Sequence, residues 1–127
     1  MHVLIPREKE LSSASVVEAI KQGHSFIGFD IFGDATGFRF EVESSGGTKL
    51  QGDEILFRSG TKLKVEVPLK ARIVIRRDGQ IVSDEDGQFK KEFELKDKGI
   101  YRVEAFLPDL GGVGTKPWII SNPIYVR

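Results

Sequence analysis

A chain of 127 residues sets 19 Lys and Arg against 19 Asp and Glu and contains no cysteine. That length suits one domain whose core closes without metal or disulfide, and the missing cysteine excludes disulfide scaffolds, thiolate zinc sites and cysteine nucleophiles. Zero formal net charge offers no basic footprint for nucleic acid or anionic lipid, and no apolar run approaches the roughly 20 residues that span a bilayer.

Residues 1–25 lack a basic start, an apolar core and a small-residue cleavage site, so no signal peptide is expected. Composition alone leaves a reduced cytosol and a cysteine-free secreted domain both open, with the cytoplasm slightly favoured. The first patterned segment is a helix over residues 11–22. Leu11, Ala14, Val17 and Ile20 recur at spacing three, and Val16 and Ile20 at spacing four. Ser12 or Ser13 can accept from the free N–H groups of the first turn, and Gly23 suits a left-handed stop. A helix this short is not stable alone in water and must dock on something.

From residue 26 the period changes to two. Ile27, Phe29 and Ile31 are expected on one strand face, and Phe38, Phe40 and Val42 alternate with Arg39, Glu41 and Glu43. Leu63, Val65 and Val67 alternate with Lys62, Lys64 and Glu66. Ala71, Ile73 and Ile75 follow in a second run, with Val74 on the polar side. Asp78-Gly79 is a tight hairpin turn between two strands. Phe89, Phe93 and Leu95 face one way, then Tyr101, Val103, Ala105 and Leu107 alternate with Arg102 and Glu104. Pro117–Ile120 and Ile124–Val126 close the chain. Some nine strands with Gly-, Asp- and Pro-bearing turns point to a sandwich or barrel, and no strand–helix–strand alternation supports a parallel sheet. Residues 44–52 and 108–116 read as flexible connections. The first of these divides the chain into residues 1–43, carrying the helix and first strands, and residues 44–127, packed with them as one unit.

Asp97-Lys98-Gly99-Ile100-Tyr101-Arg102-Val103 resembles the D-x-G-x-Y-x-C run that opens strand F of immunoglobulin-like domains, with Val103 at the cysteine position. The resemblance implies a corner in which the Tyr101 hydroxyl bonds back to nearby backbone, with Asp97 and Gly99 shaping the turn. Val65 is then the apolar stand-in for the partner cysteine. The expected fold is mainly β: an immunoglobulin-like antiparallel β-sandwich preceded by one short N-terminal helix.

A wider resemblance runs from Val17-Glu18-Ala19-Ile20-Lys21-Gln22-Gly23 through Ser25-Phe26, Asp30 and Asp34-Ala35-Thr36-Gly37-Phe38. It continues through Arg77-Asp78-Gly79 and Gly99–Glu104 to Pro117-Trp118-Ile119-Ile120-Ser121-Asn122-Pro123-Ile124-Tyr125. Together these are similar to the C-terminal region of PHP-domain (polymerase and histidinol phosphatase superfamily) metal-dependent phosphoesterases. In such proteins a glycine-ended helix closes the PHP region and a β-sandwich follows. The family's metal-binding H-x-H strand is absent: the histidines here are His2 and His24 alone. No catalytic or metal-ligating residue therefore carries over, and no cofactor is expected. The resemblance implies a non-catalytic accessory domain whose partner is a catalytic PHP domain in the same parent protein, with Leu11, Val17 and Ile20 as the docking face.

Other clusters weigh toward structural roles. His24 has no second histidine at ligand spacing, and a hydrogen-bonded role is favoured over metal binding. Asp30 and Asp34 can hold a hard cation together, yet Asp34-Ala35-Thr36-Gly37 reads better as a turn capped by its carboxylate. Asp30 itself either faces solvent or is buried against a cation such as Arg39 or Arg76. Asp84-Glu85-Asp86-Gly87 fails the EF-hand pattern because Val82 and Phe93 stand where carboxylates are required, which leaves an exposed acidic hairpin tip. Gly111–Lys116 lacks the glycine spacing, the Lys-Thr order and the following helix of a phosphate-binding loop. Ser25 beside His24 is no nucleophile–base pair, since strand neighbours point to opposite faces. Trp118 is preferred as a packing residue. The alternative is a free-standing sandwich that binds a carbohydrate or peptide through its loops, with Trp118 and Lys116 in the site.

Overall fold

The computed structural model describes residues 1–45, 47–108 and 116–127. The chain is mainly β with one helix. In order, the elements are β1 (His2–Val3), α1 (Ser13–Lys21), β2 (Ser25–Gly28), β3 (Arg39–Ser44), β4 (Gly47–Leu50), β5 (Glu54–Ile55), β6 (Lys62–Arg77), β7 (Gln80–Glu94), β8 (Gly99–Phe106), β9 (Ile119–Ser121) and β10 (Ile124–Val126). All ten strands join in one sheet, curled into a half-barrel and antiparallel except where β10 meets β5.

The curl is organised by the long β6–β7 hairpin. Both residues of its turn, Asp78 and Gly79, have positive φ, 51° and 85°, the backbone that a two-residue hairpin with native twist requires. One edge of β6 pairs with β7, over Lys62 to Glu66 and again from Ala71 to Arg77. Its other edge pairs first with β3, through Arg39↔Glu66 to Glu43↔Lys62, and then with β8, through Arg72↔Phe106 to Arg77↔Tyr101. Along β8, β9 lies opposite Glu104 and Ala105, and β10 lies opposite Gly99 to Tyr101. β2 joins β9, and β1 joins β2.

Period-two alternation decides the inside. Phe40, Val42, Leu63, Val65, Ile73, Ile75, Val103 and Ala105 are each at most 1% exposed, while Glu41, Lys64 and Glu104 between them are charged and Val74, on the other face, is also buried. The two runs expected on either side of Pro68 are one strand. Proline has no N–H to donate, so the ladder skips between Glu66 and Ala71 and the strand continues. Two further expectations are corrected here. Residues 84–87 form no hairpin tip but lie within β7, where Gly87 (φ 66°) sits beside a register irregularity and Asp84 takes a bidentate pair from Arg72 at 2.6 and 2.7 Å. Residues 47–50 of the expected connection 44–52 are β4, and the boundary drawn after residue 43 falls inside β3.

Among the described residues β7 is paired on one side only. Glu85 opposite Ile73, and Lys91 opposite Val65, place charge on the core-facing side of this edge, where the two are ion-paired. Inward-pointing charge and local irregularity keep an open edge from pairing with other chains.

Candidate functional site

Capping fixes both ends of α1. The Ser12 hydroxyl accepts from Ser15 N–H at 3.1 Å, and Ser15 Oγ accepts from Ser12 N–H at 2.9 Å, a reciprocal box that satisfies two otherwise free donors. At the other end Gly23 has φ 75°, its N–H donates to Ile20 O at 3.0 Å, and His24 N–H donates to Ala19 O at 2.9 Å. These are the paired bonds of a left-handed glycine stop.

The face that α1 turns to the protein is made of small or modest residues: Ala19 is buried, and Ser15 and Val16 are partly so. The apolar stripe faces outward. Leu11 is 77% exposed, Val17 49% and Ile20 44%, and Ala14 is exposed between them. Its flanks are charged, with Lys9 and Glu18 3.6 Å apart and Glu18 also accepting from Gln22 Nε2 at 3.3 Å. The helix expected to dock on something does not bury this stripe against the described residues.

A polar junction joins the end of α1 to the rest of the molecule. Asn122 Nδ2 donates to Gly23 O, Ser25 O and Ser25 Oγ, each at 3.0 Å. Its backbone N–H donates to Gln51 Oε1 at 3.1 Å, and Gly52 N–H donates to Pro123 O at 2.7 Å. His24 Nε2 lies 2.8 Å from Asp53 Oδ1, while Asp53 Oδ2 accepts from Leu50 N–H at 2.9 Å. A Cβ on Gly52 would stand 2.3 Å from Gln22 O, so no side chain fits where the β4–β5 turn backs onto the helix end.

The other candidates separate. Tyr101 Oη donates to Asp97 O at 2.7 Å, and burial pushes its phenol above the ordinary value. Gly99 packs under Arg77, where a Cβ would come within 2.7 Å of Arg77 Cγ. Trp118 is fully buried, donates from Nε1 to Gly33 O at 2.6 Å and pairs its backbone with Ala105 and Phe29. No face of the indole is open, which corrects its candidacy as a sugar-stacking residue. Lys116 is exposed. Most of the 108–116 connection, including the glycines weighed as a phosphate loop, lies outside the described residues.

Phe29 and Ile31 are not on a strand. They belong to turns stabilised by Asp30, whose Oδ1 accepts from Ala35 N–H at 3.0 Å, and by Asp34, which accepts from Thr36 N–H at 2.9 Å. Those N–H donors are the leading reason that both carboxyls sit below their ordinary range. Asp30 is exposed, the first of its two expected placements, and the group beside it is neither Arg39 nor Arg76 but the His2 imidazole, 3.0 Å away and stacked on Phe26. Arg76 instead meets Glu104 at 2.6 Å.

Among the described residues no group of three or more His, Asp and Glu converges as a metal site, and no helix is long and apolar enough to cross a membrane. Ser25 Oγ is engaged by Asn122 and His24 by Asp53, so they form no nucleophile–base pair. What the surface offers is an outward apolar helix face on a hydrogen-bonded mount. Comparison with protein-family models, with curated proteins and with solved structures gives no match.

Sequence reasoning passed over Gln51, Gly52, Asp53 and Asn122. Asn122-Pro123 was visible as an expected break between two short strands, and Gly52 as a turn residue. Nothing local marks Gln51, which is fully buried although polar.

Proposed function

We propose that this chain is the non-catalytic C-terminal accessory domain of a PHP-type metal-dependent phosphoesterase. On this reading it packs against the catalytic domain through Leu11, Val17 and Ile20. The observation that carries the reading is the outward apolar face of α1, a capped helix whose stripe stays exposed among the described residues. An amphipathic helix that turns its apolar row to solvent is spending hydrophobic area that a neighbouring domain would recover. The resemblance of residues 17–126 to the region that follows a PHP domain names the neighbour. The shortage of histidine fits a chain whose catalytic metals are held elsewhere.

We infer further that the curled sheet is a variant of the immunoglobulin-like sandwich. The support is the Tyr101 hydroxyl bonded to the Asp97 carbonyl at the start of β8, the bond by which such domains tie this corner.

The functional reading is tested on the purified chain by metal analysis after incubation with Mn²⁺ or Zn²⁺ and by hydrolysis of a generic phosphoester such as p-nitrophenyl phosphate. The expected result is substoichiometric metal and no turnover above buffer. Two or three tightly held metal ions together with hydrolysis would overturn it.

A further inference from the structure

We propose that Asn122 is a positioning residue for α1: its side chain fixes the direction in which the helix presents its apolar face. The value of that direction rests on the docking reading above, whereas the clamp itself is a property of this chain alone. The Asn122 amide meets three acceptors on the segment leaving the helix, Gly23 O, Ser25 O and Ser25 Oγ. Its backbone N–H is held by Gln51, which is fully buried. The orientation of the Gln51 amide follows, because only its oxygen can accept from that N–H. Gly52 brings the same turn within backbone contact of Gln22 and Gly23 while bonding Pro123. Three distant segments therefore meet at the helix end: the Asn122 side chain ties its own segment to residues 23–25, and the His24–Asp53 pair ties residue 24 to the β4–β5 turn.

The remaining ties on this part of the chain are few. Ala19 is the buried residue of α1, His24 Nε2 lies 2.8 Å from Asp53 Oδ1, Leu4 N–H donates to His24 O at 2.8 Å, and β2 pairs with β1 over two residues and with β9 over three. The helix is thus held mainly at its C-terminal end, and loss of the Asn122 amide should free it without loosening β6 and β8. A side chain that only fills space would not act so selectively.

Hydrogen–deuterium exchange on the full chain tests this. Asn122→Ala should speed exchange across residues 13–24 by about tenfold, the effect of losing bonds of this kind, with the β6 and β8 amides unchanged. Asn122→Ser, which keeps one shorter donor, should give an intermediate rate, and it carries the same test if the alanine variant does not fold. Unchanged exchange in α1 would overturn the proposal, and so would equal acceleration of α1 and the core. Failure of docking to a catalytic domain, with the exchange result as expected, would remove the docking reading and leave the clamp standing.

Discussion

The two apolar stripes of this molecule have opposite surroundings. On β6 and β8, Leu63, Val65 and Val103 alternate with charged residues and are at most 1% exposed. On α1, Val17 and Ile20 lie at the surface, as does Leu11 just before the Ser12 cap, where the helix expected over residues 11–22 has not yet begun. The strand stripe is matched across the ladder by neighbours on the same face, so each side chain finds apolar cover at once. The helix approaches the protein by its smaller residues, because the close backbone passage at Gly23 and Gly52 leaves little depth there. Periodicity identifies an apolar face. It does not say whether that face is covered by its own chain.

The contrast predicts a graded set of effects. Trp118→Ala should be the most severe, costing about 3–5 kcal/mol by urea unfolding, since it opens a cavity and strands the Gly33 carbonyl. A loss below 1 kcal/mol would mean that the tryptophan is outside the cooperative core. Tyr101→Phe should cost about 1 kcal/mol through the bond to Asp97 O, and an unchanged denaturation midpoint would show that this corner contributes nothing.

Tyr101 also gives the sheet a pH signature. Its phenol is raised in the folded state, chiefly by burial, so the unfolded chain releases a proton first as pH climbs past the ordinary phenol value near 10. Stability should therefore fall through that alkaline range, and Tyr101→Phe should flatten the slope. An identical slope in both proteins would contradict the assignment.

Ser12→Ala should act locally. Loss of the N-cap bond costs about 1 kcal/mol of helix stability and should appear as faster amide exchange in α1 before any change in global unfolding. At the bottom of the scale, Val17→Ser with Ile20→Ser should change the stability of the isolated chain by less than about 0.5 kcal/mol, because neither side chain is buried. A loss near that of a core substitution would erase the distinction between the two stripes.

Local chemistry made much of this architecture legible. Ser12 and Gly23 bracket α1 within two residues, Asp78-Gly79 is the hairpin turn, and the alternating residues of β3, β6 and β8 are those that line the core. What local pattern misjudged was competition. Phe29-Asp30-Ile31 alternates as a strand would, yet the Asp30 carboxylate prefers the Ala35 N–H and bends the chain. Pro68 looks like a strand end, but at an irregularity in the ladder it is tolerated within β6. Asp84–Gly87 has turn composition, but long pairing with β6 overrides it, and Arg72 answers the Asp84 charge. The junction was the least legible part. Asn122 and Gly23 are separated by 99 positions, and only the assembled sheet brings them together.

We propose the outward face of α1 as the surface by which this chain packs on a catalytic domain. The most direct measurement is amide exchange across residues 11–21 on titration with a PHP-type metal-dependent phosphoesterase domain, in the parent chain and in a Val17→Asp, Ile20→Asp double variant. The account predicts protection of these amides that saturates with added domain and is lost in the variant, whose own melting temperature is unchanged. Exchange across α1 that stays the same at saturating domain, or protection that survives both aspartates, would contradict it.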